Sequence, residues 1–484
     1  MFVAAILLFV NLDNQYLWQD EAETAVLAKR VLEFGYPRAY DGKNLINPTI
    51  RTGLSADYGW RYHPWGQFYI AAASFKLFGT NTFTARLPFA VLGLINILLI
   101  YLLARRMTGN YLVANLAAFL TTFSVPYILL MRQCRYYAPA VFLVLIALLF
   151  YLRFLKKGRM LDLAVFSGAL AALGYTVHGM FVPVFCAIGL HYLIFSFNKK
   201  TVFPVIFAGI IVAMTVLPWF LYSNSAKHVV LTLEKIGDNL EFDLRMINKY
   251  IFPAVFFAAV YAIRAIWRRN FTLKIAPEEK QSLLLIGMVV LASLAAFSVA
   301  EERNFRYLVY FIPLFAVVQG MVLLRLERFN KALLAGFLAI SVGTGIFNMG
   351  YPNWFFPKYL YEITHDYDGP TEGIVKFLKE HARAGDTVKI IYGDLPLMFY
   401  TDLKVDNSWV YDDAHMPEFI VFRHGWHELL DNTYYTKVKN SGNYKEHILD
   451  YPDIKWDNRP DDLTYHRFWT DKEAPRVVLF EKVR

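Results

Sequence analysis

Three carboxylates, Asp20, Glu21 and Glu23, stand within four residues, just after an apolar opening stretch. Arg132 and Arg135 stand three apart, and a later group holds Glu301, Glu302, Arg303 and Arg306. Arg86 opens the uncharged run 87–104, and His178 lies midway along the run 163–198. A carboxylate within hydrogen-bond reach of a hydroxyl can take its proton as that hydroxyl attacks. An arginine is permanently charged and grips phosphate oxygens two at a time. Carboxylates and arginines gathered at one cavity would suit the attack of a hydroxyl and the departure of a phosphate.

The elements that must carry these groups are membrane spans. Of the 484 residues, 56% are hydrophobic and only 18% charged, where soluble domains carry about 25% charged residues. Uncharged runs cover 87–104, 107–131, 136–152, 163–198, 201–226, 250–263, 281–300, 307–324 and 332–357. A span needs about 20 apolar residues, so most runs are one helix each. The run 163–198 reads as a hairpin of two spans turning at His178-Gly179. Lys249 and Arg264 extend the run 250–263, because their stems can snorkel. Met1–Leu12 is half a span, either a short first helix or the end of one whose natural start lies upstream, and it lacks the pattern of a cleaved signal peptide. Counting it gives about 11 spans.

The charge balance has a direction. Residues 1–364 carry net +15 and residues 365–484 carry net −6. With the N-terminus inside, the short cytoplasmic loops hold 16 basic residues and the short outer loops seven, as the positive-inside rule requires. The basic excess is thus an orientation signal, and nucleic-acid binding is not expected. Cys134 and Cys186 cannot build a disulfide framework, and no cysteine–histidine cluster has zinc spacing. The expected class is mostly α, a polytopic transmembrane helical bundle with a C-terminal extracytoplasmic α/β domain. A membrane module spans 1–364 with a large outer loop at 13–83, and a soluble unit spans 365–484. The expected location is the plasma (inner) membrane, with both the charged cavity and the tail facing the periplasm or cell exterior.

Within the outer loop, Glu21–Phe34 reads as an amphipathic helix stopped by Gly35, and Gln67–Phe78 as a second stopped by Gly79. Both suit helices lying along the membrane surface. Between them lies an aromatic stretch that includes Trp60, Tyr62 and Trp65. It is either an interfacial belt or a platform on which sugar rings stack, and the two are compatible.

The run from Leu17-Trp18-Gln19-Asp20-Glu21-Ala22-Glu23 to Phe34-Gly35-Tyr36-Pro37 resembles the first-loop acidic motif of GT-C membrane glycosyltransferases. The similar group is the protein-mannosyltransferase-like one that includes the lipid A aminoarabinose transferase. His63-Pro64-Trp65 through Phe78-Gly79, then Ala85-Arg86-Leu87-Pro88, is similar to that group's second amphipathic helix and the span after it. Arg135-Tyr136-Tyr137 and Arg306-Tyr307-Leu308 resemble its later outer-face motifs. One departure is His178, near which several members carry a lysine; a neutral imidazole would hold phosphate less well.

The resemblance implies transfer of a sugar from a polyprenyl-phosphate donor to an acceptor hydroxyl on a lipid, glycan or protein, at the extracytoplasmic face and with inversion. Asp20 matches the family's first-loop aspartate and is the first choice as general base, with Glu21 second. The competing reading of Asp20 is an N-cap of the helix that follows, which would make it a poorer base. Arg135 is the first candidate for the donor phosphate, followed by Arg132, Arg306 and Arg303; lipid headgroups or Glu301 and Glu302 are the alternative partners. Tyr136, Tyr137, His178, Trp60, Trp65, Tyr62 and Tyr307 are expected to line the substrate site. Arg86 reads as a residue that fixes the loop.

A transporter or flippase is the rival class, but it needs broken helices at the bilayer midplane, and glycine and proline interruptions look scarce. Asp20-Glu21 is not the DxD pair of a diphosphate-sugar enzyme, so no metal site is assigned; a divalent cation stays open as the one candidate cofactor. In the tail, Gly373–His381 and Leu395–Tyr400 read as helices, and Thr387–Tyr392, Phe419–Phe422 and Val477–Phe480 as strands. No phosphate-binding glycine loop occurs there. The acidic segment Trp456–Asp462 reads as a solvated loop.

Overall fold

A computed structural model describes residues 1–46, 54–223, 230–268, 277–327, 331–344, 354–408, 416–424, 432–455, 463 and 465–484. They form two compact units. One comprises Met1–Phe9, Phe89–Arg132 and Tyr136–Tyr359; the other comprises Val10–Pro88, Gln133–Arg135 and Leu360–Arg484. The segment read as an outer loop therefore belongs to one compact unit with the tail.

The first unit is helical. It holds α1 (Phe2–Phe9), most of α4 (Thr82–Thr108), α5 (Tyr111–Thr122), α6 (Val125–Met131), α7 (Tyr137–Lys157), α8 (Met160–Gly174), α9 (His178–Phe195) and α10 (Val202–Ser223). Beyond these come α11 (Leu233–Met246), α12 (Ala254–Arg268), α13 (Pro277–Ser298), α14 (Phe311–Glu327), α15 (Lys331–Thr344) and the start of α16 (Phe355–Glu362). Five of the described helices are long and apolar enough to cross a membrane: α4, α7, α9, α10 and the Glu279–Ser298 part of α13. α10 exposes Phe203, Ile206, Phe207, Ile210, Met214 and Leu221, as a helix surrounded by lipid does. The protein is a multi-pass membrane protein.

Two further apolar stretches are bent, by 67° between α5 and α6 and by 71° where α12 follows Leu233–Ile251. This corrects the expectation that interruptions are scarce. Pro126 near the start of α6 and Pro253 just before α12 are the physical reason, because proline lacks an N–H and disfavours helix at the residue before it. Counting each bent stretch once gives up to seven spans among the described residues, by length and composition; Met160–Gly174, Phe311–Arg325 and Lys331–Thr344 are apolar but shorter. The hairpin in 163–198 turns at Tyr175–Val177, immediately before His178. Close helix approach is built in at Gly320 of α14, where a Cβ would lie 2.9 Å from the Val113 carbonyl oxygen of α5.

The second unit joins α2 (Gln19–Phe34) and α3 (Gly66–Phe78) to the tail. Both helices end where the sequence places their glycines, Gly35 at φ 83° and Gly79 at φ 82°. In the tail, β1 (Thr387–Lys389), β2 (Lys404–Asp406), β3 (Phe419–Phe422), β4 (Tyr444–Pro452) and β5 (Arg476–Lys482) form one sheet of order β2-β1-β3-β5-β4. β1 runs parallel to β2 and β3, with Val388 opposite Val405 and Phe419; β5 runs antiparallel to β3 and β4. The helices α17 (Pro370–His381), α18 (Asp394–Tyr400) and α19 (Asn432–Asn440) accompany it. β4 escaped the sequence reading because an edge strand bears charges such as Lys445, Glu446 and Asp450 that obscure alternation. Trp456–Asp462 lies outside the described residues.

Candidate active site

The first turn of α2 carries the acidic set, and helix geometry separates its members. Residues three and four apart share a face and neighbours do not, so Asp20, Glu23 and Thr24 lie together while Glu21 turns away. α2 begins at Gln19, with Trp18 in extended conformation as its N-cap and without a side-chain cap. Asp20 is thus the second helical residue, and the capping reading of its carboxylate does not describe this helix.

Glu21 is fully buried and fully engaged. Arg86 Nε donates to its Oε1 at 2.8 Å and Arg86 Nη2 to its Oε2 at 2.6 Å, while the Cys134 N–H donates to Oε1 at 2.8 Å. Arg86 Nη1 also donates to the carbonyls of Leu12 at 2.9 Å and Gln15 at 2.8 Å. This knot ties the start of α2, the chain before it, the start of α4 and the 133–135 connector. Two opposite charges can stay buried only when each is paired and hydrogen-bonded, and here both are. Glu21, the second choice as base, could reach a substrate only by dismantling these bonds, so the geometry favours Asp20.

The other face of α2 meets Arg135. Its Nη1 donates to Glu23 Oε1 at 2.7 Å and to Thr24 Oγ1 at 3.2 Å, and its Nη2 lies 3.5 Å from Asp20 Oδ2. Glu23 Oε1 is also 3.1 Å from His63 Nδ1. Burial opposes ionisation of Glu23, but Arg135 and His63 outweigh it and hold its carboxyl at about 2. Side-chain exposure rises from 0% at Glu21 through 13% at Glu23 to 24% at Asp20, so Asp20 is the open member of the set.

The aromatic stretch leads into this cluster. Trp65 Nε1 donates to the Trp60 carbonyl at 2.6 Å. Trp60 is buried, its ring 6.1 Å from that of Tyr62, and Tyr62 meets His63 edge-on at 4.7 Å. Asp20, Arg135, Trp60, Tyr62 and Trp65 therefore share one unit with two residues that sequence reading left out of the site, Glu23 and His63. The i, i+3 spacing of Asp20 and Glu23 was the available signal for the first. His63 stands in the His63-Pro64-Trp65 motif, but nothing local marked its pairing, because Glu23 is remote in sequence.

The remaining candidates lie in the helical unit. Arg132 donates to the carbonyls of Leu7 at 3.2 Å and Leu8 at 3.1 Å and sits over the Tyr359 ring. It satisfies terminal acceptors of α1, as basic residues do at helix ends. Tyr136 and Tyr137 meet edge-on at 4.7 Å, and the His178 ring lies 5.5 Å from that of Phe220. Arg303 lies near Asp238 and over Phe242, whereas Arg306 lies over Tyr307, which in turn packs against Phe297. Among the described residues, no group of three or more histidine, cysteine or acidic side chains is arranged to hold a metal ion.

Residues 62–222 match the profile of the dolichyl-phosphate-mannose-protein mannosyltransferase family. The matched stretch includes His63, Arg86, Arg132, Arg135 and His178 and begins after Asp20. An uncharacterised protein of Aquifex aeolicus (strain VF5) is 29% identical over 226 residues, 45% of this chain; the match spans 41% of that relative. Among solved structures, ArnT from Cupriavidus metallidurans bound to undecaprenyl phosphate is similar with a TM-score of 0.61 at 13% identity, covering 99% of this chain and 96% of that one. The apo form of the same protein is similar with a TM-score of 0.54 at 14% identity, with the same coverage. The chain shares the fold of ArnT, from its membrane helices through its C-terminal unit.

Proposed function

We propose that this protein is a GT-C membrane glycosyltransferase that moves a sugar from a polyprenyl-phosphate donor to an acceptor hydroxyl at the extracytoplasmic face. The observation that carries the proposal is the pairing of an accessible carboxylate, Asp20, with a held arginine, Arg135, at 3.5 Å in a chain of that fold. The family that matches 62–222 is named for a polyprenyl-type phosphate-mannose donor, and the similar ArnT structure holds undecaprenyl phosphate. Both names support a lipid-phosphate donor here.

The chemistry follows from these groups. The acceptor oxygen attacks the anomeric carbon from the side opposite the phosphate, forming the new glycosidic bond with inversion. The bond from that carbon to the phosphate oxygen breaks, and its electron pair leaves with the lipid phosphate. The acceptor proton passes to an Asp20 carboxylate oxygen. Arg135, fixed by Glu23 and Thr24, places a positive charge near the departing phosphate without having to reorganise. Arg306 and Arg303 are further candidates for that charge and Arg132 a weaker one, since it serves α1. Trp60, Tyr62 and Trp65 offer the donor sugar a surface, with Tyr136, Tyr137, His178 and Tyr307 as further lining candidates. The positive-inside balance supports a plasma-membrane orientation with this face outward.

The test is transfer of label from undecaprenyl-phosphate [14C]mannose and, separately, its glucose counterpart into membrane acceptors of the source cell. The wild type should turn over at least one donor and should do so in excess chelator. The Asp20→Asn variant should lose about 10²–10⁴-fold in kcat. Equal turnover by wild type and variant would remove Asp20 as the base.

A further inference from the structure

The residue before Asp20 is held by the tail. Gln19 Nε2 donates to Asp394 Oδ1 at 2.6 Å, and Gln19 Oε1 accepts from the Gly393 N–H at 3.2 Å. Asp394 is buried, and its second oxygen accepts from Asn407 Nδ2 at 2.7 Å. Both ends of one amide are thus engaged, by a carboxylate and a backbone N–H from the start of a single short helix, α18. Gly393 reaches Gln19 from φ 98°, a left-handed conformation that favours glycine. A Cβ there would also come within 3.3 Å of Arg423 Nη1. At the far end of α18, the Tyr400 hydroxyl accepts from the Leu17 N–H at 2.9 Å. The start of α2 is therefore fixed on both sides of Trp18 by residues 374 to 383 positions away in sequence.

We infer that Gln19, Asp394 and Gly393 form a positioning clamp that sets the direction of the Asp20 carboxylate, making the tail part of the catalytic apparatus. Gln19 and Asp20 are consecutive in the first helical turn, where intrahelical hydrogen bonding leaves N–H groups without partners and the backbone is least constrained. The clamp supplies the constraint there. A general base must lie within hydrogen-bond distance of the proton it takes, and a displacement of about 1 Å can cost about 10²-fold in rate. Arg135 holds Asp20 from the side-chain end; the clamp holds it from the backbone end. None of the clamp residues is assigned contact with substrate, so they are positioning residues.

This inference rests on Asp20 acting as the base, and the test separates the two. The full chain in nanodiscs is assayed with undecaprenyl-phosphate [14C]mannose as Gln19→Ala, Gln19→Glu, Asp394→Asn and the paired exchange Gln19→Glu/Asp394→Asn, beside Asp20→Asn. The single variants should lose about 10–100-fold in kcat with KM for the donor within about twofold. Gln19→Glu alone sets two carboxylates against each other. In the paired exchange the roles reverse. The carboxylate at position 19 then accepts from the amide at position 394 and from the Gly393 N–H, while the oxygen of that amide accepts from Asn407. The paired exchange should recover most of the lost kcat, which a nonspecific loss of packing would not allow. An inactive Asp20→Asn beside single variants of normal kcat overturns the clamp alone. So does a paired exchange no better than its singles. A fully active Asp20→Asn overturns the reading of Asp20 and takes the clamp with it.

Discussion

Arg135 and Glu23 are joined at 2.7 Å across 112 positions of sequence, and that bond fixes the guanidinium whose other nitrogen faces Asp20 at 3.5 Å. Glu23 thereby defines where Arg135 points. An Arg135→Gln substitution should lower kcat by about 10²–10³-fold, the loss typical of removing one fixed group that stabilises developing charge. Arg135→Lys should recover only part of this, because an ammonium cannot bridge two partners in the arginine's planar geometry. Steady-state kinetics with a prenyl-phosphate sugar checks it, and a lysine variant with wild-type kcat would contradict the bridging role.

The same bond predicts a pH dependence of stability. Glu23 titrates at about 2 in the folded protein against 4.5 as its ordinary value. A lowered carboxyl value stabilises the fold where the group is ionised in both states, so the contribution is complete above about pH 5 and fades as the pH falls toward 2. At 1.36 kcal/mol per unit, the shift from 4.5 to about 2 amounts to about 3 kcal/mol. Thermal unfolding of wild type and Glu23→Gln should differ most near pH 6–7 and converge at the acid end. A gap that stays constant with pH would contradict the ionic origin.

Glu21 and Arg86 make the structural knot. Removing one partner of a buried pair leaves an uncompensated charge and costs about 3–5 kcal/mol. Glu21→Gln and Arg86→Gln should each lower the unfolding temperature sharply and reduce the yield of folded protein. Asp20→Asn, at a more open position, should leave the unfolding temperature close to wild type. Similar unfolding curves for Glu21→Gln and wild type would show that the knot is dispensable.

What could be read from sequence follows physical range. Gly35 and Gly79 end their helices as expected because a helix stop is a local event. Spans such as α7 and α10 follow from unbroken apolar runs. Asp20 and Arg135 could be nominated from residue type together with the family resemblance, yet their proximity depends on the chain returning after more than 100 residues. The same limit hid His63 beside Glu23 and the Asp394 contact with Gln19. Pro126 and Pro253 stand beside the two bends, but whether a proline kinks or ends an apolar helix is decided by its neighbours, so both stretches read as unbroken.

The most direct measurement is mass spectrometry of lipids that co-purify with gently extracted wild type and Asp20→Asn. If Asp20 takes the acceptor's proton, the variant binds donor but cannot complete transfer. It should then retain an intact polyprenyl-phosphate sugar, and the mass of that species names the sugar class. Wild type should carry less of it, or the spent polyprenyl phosphate. Absence of any prenyl lipid from both proteins, together with failure of added prenyl-phosphate sugars to bind, would contradict the glycosyltransferase proposal.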